Sequence, residues 1–243
     1  MPALREVAPG VLVATSRVMQ MNTTVVVDSG RVLLIDPGWM PDELDALAVT
    51  LRERGLTVAE GFATHAHHDH LLWHPWFGEV PRWASARTAE LAVVEREALV
   101  SALGPELPAE LVELMGRVDA GSPTFDVELV VHDGHAPGHT AVWLPGPRVL
   151  VAGDMLSDVE LPLPFDPDDV PAYERALEIL EPYARAARVV IPGHGNVGTD
   201  PFARWEADRR YIADVRRTGE SDDPRRANAG MEEEYARLRE LLA

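Results

Sequence analysis

The 243 residues carry 40 acidic against 22 basic side chains, a net charge of −18, and no cysteine. Hydrophobic residues make up 46% and charged residues 26%, a balance typical of a soluble chain that can bury its own core. The missing cysteine excludes disulfides, thiolate nucleophiles and thiolate metal ligands. The acidic charge argues against a nucleic-acid partner, whose phosphates need a concentrated basic face.

In chain order, the first twenty residues contain no uninterrupted apolar segment of the kind a secretion signal needs, and no later run approaches a membrane span. A cytoplasmic protein is the expectation. Apolar, β-branched runs at 11–15, 23–28 and 31–35 predict three strands, with Asp28-Ser29-Gly30 turning the second into the third. Leu44, Leu47, Ala48 and Leu51 make one stripe of a helix over 41–54, stopped by Gly55. A short strand at 61–64 leads into a histidine cluster. Beyond it come a short strand at 82–84, a helix at 88–99, and a proline-bounded helical insertion over 104–121. Apolar spacing at Leu107, Leu111, Leu114 and Met115 favours packing over a substrate lid. Strands follow at 125–131, 141–144 and 149–152. A proline-rich loop at 161–167 leads to a helix at 171–187, capped by Asp168 or Asp169. A strand at 189–191 and helices at 201–217 and 231–242 complete the chain, with a polar stretch at 219–230 between the helices. Strands first, then strands mixed with helices, indicate a layered α/β domain.

The chemistry concentrates in Thr64-His65-Ala66-His67-His68-Asp69-His70, four histidines and an aspartate within six residues. Imidazole nitrogen and carboxylate oxygen are the donors that zinc and similar divalent ions take. At a strand end, His65 and His67 project to the same side and can share one metal, while Asp69 and His70 reach a second. Three later segments add donors at strand ends: Ala136-Pro137-Gly138-His139-Thr140, Val151-Ala152-Gly153-Asp154 and Ile191-Pro192-Gly193-His194-Gly195. The glycines there let backbone approach closely.

With Asp36, these segments resemble the five ordered motifs of the metallo-β-lactamase superfamily over residues 36–194. The resemblance implies an α/β fold, a four-layer αβ/βα sandwich of two mixed β-sheets flanked by helices, with two divalent metal ions where the sheets meet. It implies a first metal on His65, His67 and His139, a second on Asp69, His70 and His194, and Asp154 bridging them. Asp36 would orient a ligand. Asp69 and Asp154 would also serve the reaction, hydrolysis of a small-molecule ester, thioester or lactone by metal-activated water. Zinc is the first expectation, and nitrogen and oxygen donors also accept iron or manganese.

The full His-x-His-x-Asp-His cluster and the Pro-Gly-His-Thr turn are similar to those of glyoxalase II and the lactonases, although the glycine usual after that turn is missing. The zinc β-lactamases that use a cysteine ligand fit poorly. A mononuclear iron dioxygenase acting on persulfides, and a phosphodiesterase, stay open as alternatives. One hydrolase domain is expected over residues 1–218, carrying an insertion at 100–121, with a linker and helix at 219–243 packed on or extending it.

Trp73, Trp76, Phe77 and Trp83 read either as an apolar substrate wall or as aromatics packing onto the sheet, the commoner use of such side chains. Met155, Leu156 and residues 161–165 are the candidates for an opposite wall. His68 reads as a rim residue and His74 as packed or solvent-facing. His132 and His135 read as ordinary loop positions, with support of a ligand as the second option.

Overall fold

A computed structural model describes residues 4–104, 107–164 and 169–243. The first half folds as a seven-stranded sheet whose strands lie in chain order. β1 (Arg5–Ala8), β2 (Val11–Thr15), β3 (Asn22–Asp28) and β4 (Arg31–Ile35) form an antiparallel meander. The helix α1 (Pro41–Glu53) then crosses over to β5 (Thr57–Phe62), which pairs parallel with β4. β6 (Arg82–Ala84) continues in parallel, and α2 (Ala86–Val94), α3 (Arg96–Ala102) and α4 (Ala109–Leu114) precede the two-residue edge strand β7 (Asp119–Ala120).

The second sheet has four strands: β8 (Glu128–Val131), β9 (Thr140–Leu144), β10 (Val149–Gly153) and β11 (Val189–Pro192), in the order β11-β10-β9-β8. The helix α5 (Val170–Ala186) links the parallel pair β10 and β11, and its N-cap is Asp169, whose carboxylate accepts the Ala172 N–H. α6 (Pro201–Thr218) and α7 (Met231–Leu242) follow.

The layering follows from the pleat. In β4, Val32 and Leu34 face the helices of the first half, while Leu33 and Ile35 face the other sheet. In β10, Val149 and Val151 meet that same central layer, and Leu150 and Ala152 turn to α5 and α6. Strands covered on both faces read as continuous apolar runs, as these do. All eight side chains are at most 4% exposed, and full burial of each stabilises the fold by roughly 1.5–3 kcal/mol for the branched ones. Met231, Tyr235 and Leu238 bury α7 in the same outer core as α6. No helix among the described residues is long and apolar enough to cross a membrane.

Several expectations are corrected. β5 begins at Thr57, four residues before the expected start at Gly61: Glu60 is a charged residue, yet its carboxylate is buried and accepts from Trp83 Nε1 and Thr124 N–H. The helix expected over 88–99 is two, broken at Glu95 after the exposed β-branched pair Val93-Val94. β1 and β7 were not expected; both are short, exposed edge strands with little apolar pattern. The aromatics do not wall the site. Trp73 and Phe77 are buried in the first-half core, Trp83 is held by Glu60, and Trp76 lies at the surface under Arg52. Met155, Leu156 and Leu161 are likewise core residues of the second half. In the insertion, Leu111 and Met115 are buried against the first-half core, which is the packing role; residues 105–106 and 165–168 of the expected segments lie outside the described residues.

Candidate metal centre

Every predicted ligand emerges at one edge of the sandwich. Asp36 follows β4, residues 65–70 follow β5, Asp154 follows β10 and His194 follows β11, all carboxyl ends of strands, while His139 precedes the antiparallel β9. The two sheets are joined here: the Asn22 amide donates to Pro192 O and Gly195 O, and Met21 bridges to His194.

Backbone oxygens and Asp36 fix which ring nitrogen faces inward. Asp36 accepts the Thr64 N–H at 2.8 Å and the Thr64 hydroxyl at 2.7 Å. With its proton so used, Thr64 Oγ1 accepts from His65 Nδ1 at 3.0 Å, leaving His65 Nε2 to the site. His70 Nδ1 donates to Asp36 Oδ2 at 2.9 Å and His194 Nδ1 to the Met19 carbonyl at 3.2 Å, so both present Nε2 as well. Such anchoring sets the orientation and basicity of a ligating imidazole.

Two groups of donors result. His65, His67, His135 and Asp154 bring donor atoms within 4.8 Å of one another, and Asp69, His70 and His194 do the same. Asp154 lies between them: Oδ2 is 3.5 Å from His65 Nε2 and 3.5 Å from His194 Nε2, and Oδ1 is 3.2 Å from His70 Nε2. Asp69 Oδ2 is 3.1 Å from His194 Nε2. The donors fit divalent metal in chemistry, and one feature bears on that fit. His70 Nε2 and Asp154 Oδ1 are fully buried and face each other at 3.2 Å, a pairing that either a cation between them or a proton on His70 satisfies. A Cβ at Gly193 would collide with Asp154 Oδ1, and one at Gly153 with His139 Nε2, so both glycines are needed for the donors to fit.

The two groups differ in charge. Burial drives His65 far below the ordinary imidazole range and His67 to about 3. In the other group burial is outweighed: Asp154, Asp69 and Asp36 raise His70 well above that range, and Asp154 with Asp69 lifts His194 to about 10. Asp154 itself, despite burial, is pulled well below the usual carboxylate range by His70, His194 and His65.

Six of the seven expected ligands thus stand in the two groups. His139 is adjacent but differently engaged. Its ring stacks between His65 (4.9 Å) and His132 (4.7 Å), and its Nε2 accepts the Asp154 N–H at 3.1 Å. His135 stands in the first group, at a position the sequence suggested for an ordinary loop residue. Glu160 is a second surprise, a buried carboxyl raised to about 7 by burial and lying in the field of His194 and Asp154. The signal for His135 was present as a second histidine four residues before His139; for Glu160 there was none. His68 sits at the rim, edge-on to Trp39, and His74 is packed, its Nε2 3.1 Å from Asp45.

Against known proteins, the family model of the Metallo-beta-lactamase superfamily matches residues 17–194, most of the chain and all of the motifs. The chain belongs to the metallo-beta-lactamase superfamily. Among its relatives, a probable metallo-hydrolase, YflN, of Bacillus subtilis is 27% identical over 205 residues, covering 67% of this chain and 75% of that protein. A type 2 metallo-beta-lactamase of Bacteroides fragilis is 36% identical over 67 residues, 27% of each chain. The fold is shared with the DIM-1 metallo-beta-lactamase (TM-score 0.63, 21% identity, 86% of this chain and 95% of that one). It is also shared with a metallo-beta-lactamase family protein of Thermus thermophilus (TM-score 0.64, 22% identity, 86% and 82%). As a superfamily member with this donor set, the protein is a metal-dependent hydrolase with its candidate metal-binding residues at the junction of the two sheets.

Proposed function

We propose that the protein is a two-metal hydrolase of small esters, thioesters or lactones, with zinc as the first metal to test. The observation that carries the two-metal reading is Asp154, whose two oxygens face donors of both groups. His65, His67 and His139 would hold the first metal, Asp69, His70 and His194 the second, and Asp154 would belong to both. When bound, such a pair lowers the pKa of water to near neutrality and polarises an acyl oxygen.

The chain's own residues do the rest. Asp36, Thr64 and Met19 O hold the imidazoles in the tautomer that offers Nε2. Asp69, held 3.1 Å from His194 Nε2, would be placed to accept a proton released from the metal-activated water. The substrate class is supported by charge: the overall charge of −18 works against binding of an anionic phosphodiester. Cytoplasmic location remains part of this reading, as does action on small molecules.

The test is elemental analysis on protein purified without chelators, followed by hydrolysis assays on lactones, thioesters, esters and phosphodiesters. About two zinc ions per chain, with acyl but not phosphodiester turnover lost on chelation and restored by zinc, is the expected result. A single iron with oxygen-dependent turnover of persulfides would replace this reading.

A further inference from the structure

His135 was not among the expected ligands, yet the fold goes to some length to place it. Its ring is 3% exposed, and Nδ1 donates to the Leu163 carbonyl at 3.0 Å. In a neutral ring the lone pair then falls on Nε2, which points inward, 3.1 Å from His67 Nδ1 and 3.3 Å from Asp154 Oδ2. The ring stands edge-on to both His65 (4.9 Å) and His67 (4.8 Å). This is the same device that presents His65, His70 and His194: an oxygen holds one nitrogen so that the other faces the donors.

The backbone gives an independent sign. His135 lies at φ +71°, in the left-handed region that non-glycine residues enter at a cost. Gly134 just before it has no room for a Cβ, which would strike Ala176. The turn is therefore pinned from behind by α5, and it directs the imidazole into the site. Asp36, which anchors His70, adopts the same left-handed conformation.

Building on the two-metal reading, we propose that His135 is an additional ligand of the first metal, its Nε2 joining His65, His67 and Asp154. The assignment has a structural consequence. Because Nδ1 holds the Leu163 carbonyl, first-metal occupancy is tied to the loop at residues 161–164 through one imidazole. The second group, Asp69, His70 and His194, has no such connection to that loop through His135.

The experiment compares wild type with His135→Asn and His135→Gly. Asn tolerates positive φ and Gly favours it, so either variant keeps the turn while removing the donor. Zinc affinity is measured at each site by competition with a chromogenic chelator, and the cobalt-substituted proteins are compared by visible absorption. Expected is a loss of first-site affinity of about tenfold or more in both variants, with second-site affinity unchanged. The cobalt spectrum should change and be partly restored by added imidazole. Unchanged first-site affinity and an unchanged cobalt spectrum in a folded variant would overturn the assignment while leaving the two-metal reading intact. Wild type that binds no zinc at either group would instead sink that reading, and this one with it.

Discussion

The two donor groups are built from the same side chains and differ in what surrounds them. The first is imidazole-rich and buried, with Asp154 its one carboxylate, and burial holds His65 and His67 in the neutral form. The second sets His70 and His194 among Asp36, Asp69 and Asp154, so both imidazoles favour protonation. A metal entering the first group meets His65 and His67 in the neutral form, linked to each other through His65 Nε2 and His67 Nδ1 at 2.9 Å. One entering the second must displace protons. The same ligand chemistry thus yields one site ready for metal and one governed by pH.

The comparison breaks most completely at Asp154, whose oxygens face donors of both groups. Asp154→Ala should lower metal content at both sites together and abolish turnover, read by elemental analysis and by hydrolysis of the best substrate. Retention of one full metal would show that Asp154 belongs to a single group. Next in size, His194→Ala should empty the second site and leave the first loaded; loss of the first metal instead would reverse the allocation.

The difference in protonation is sharpened by pH. His194, raised to about 10, and His70, raised in the same direction, each carry a proton at neutrality that metal has to displace. Second-site affinity therefore falls as pH falls, by about a hundredfold per pH unit for two protons, and improves as pH rises toward 10. In the first group, burial holds His65 well below the ordinary imidazole range, and His67 takes up a proton only as pH approaches about 3. Dialysis between pH 7 and pH 5 should strip the second metal and spare the first. Parallel loss of both would remove the electrostatic distinction.

Much of this was legible in the sequence because periodicity and motif order are local. β4, with Val32 and Leu34 on one face and Leu33 and Ile35 on the other, announces itself as a doubly covered strand, and the His65–His70 segment announces a metal. What was not legible depends on distant parts meeting. Glu60 lies inside β5 although the expected strand starts only after it, because Trp83 and Thr124 satisfy its buried carboxylate. The tryptophans near the histidines in sequence are not near them in space, since the turn after the cluster carries Trp73 back under the sheet beside Gly61. His135 was visible as a residue but not as a donor, because its direction is set by a left-handed turn and a carbonyl 28 residues away.

The smallest expected effect concerns how the second group is braced. Ser157, buried and three residues past Asp154, donates to the His194 carbonyl at 2.8 Å and accepts the N–H groups of Val159 and Glu160. The Ser157 carbonyl in turn accepts from Arg225 at 3.0 Å, and Arg225 is held by Asp208 and Asp223. The C-terminal segment thus reaches His194 through one hydroxyl. Ser157→Ala leaves three backbone groups without that partner and should lower global stability by about 1–3 kcal/mol, measured by denaturant unfolding. Second-site metal affinity should weaken by only a few-fold, because His194 Nδ1 keeps its bond to Met19 O, and first-site affinity should not move. A first-site loss as large as the second would mean that the two groups respond to the backbone as one unit, and that their contrast lies in protonation alone.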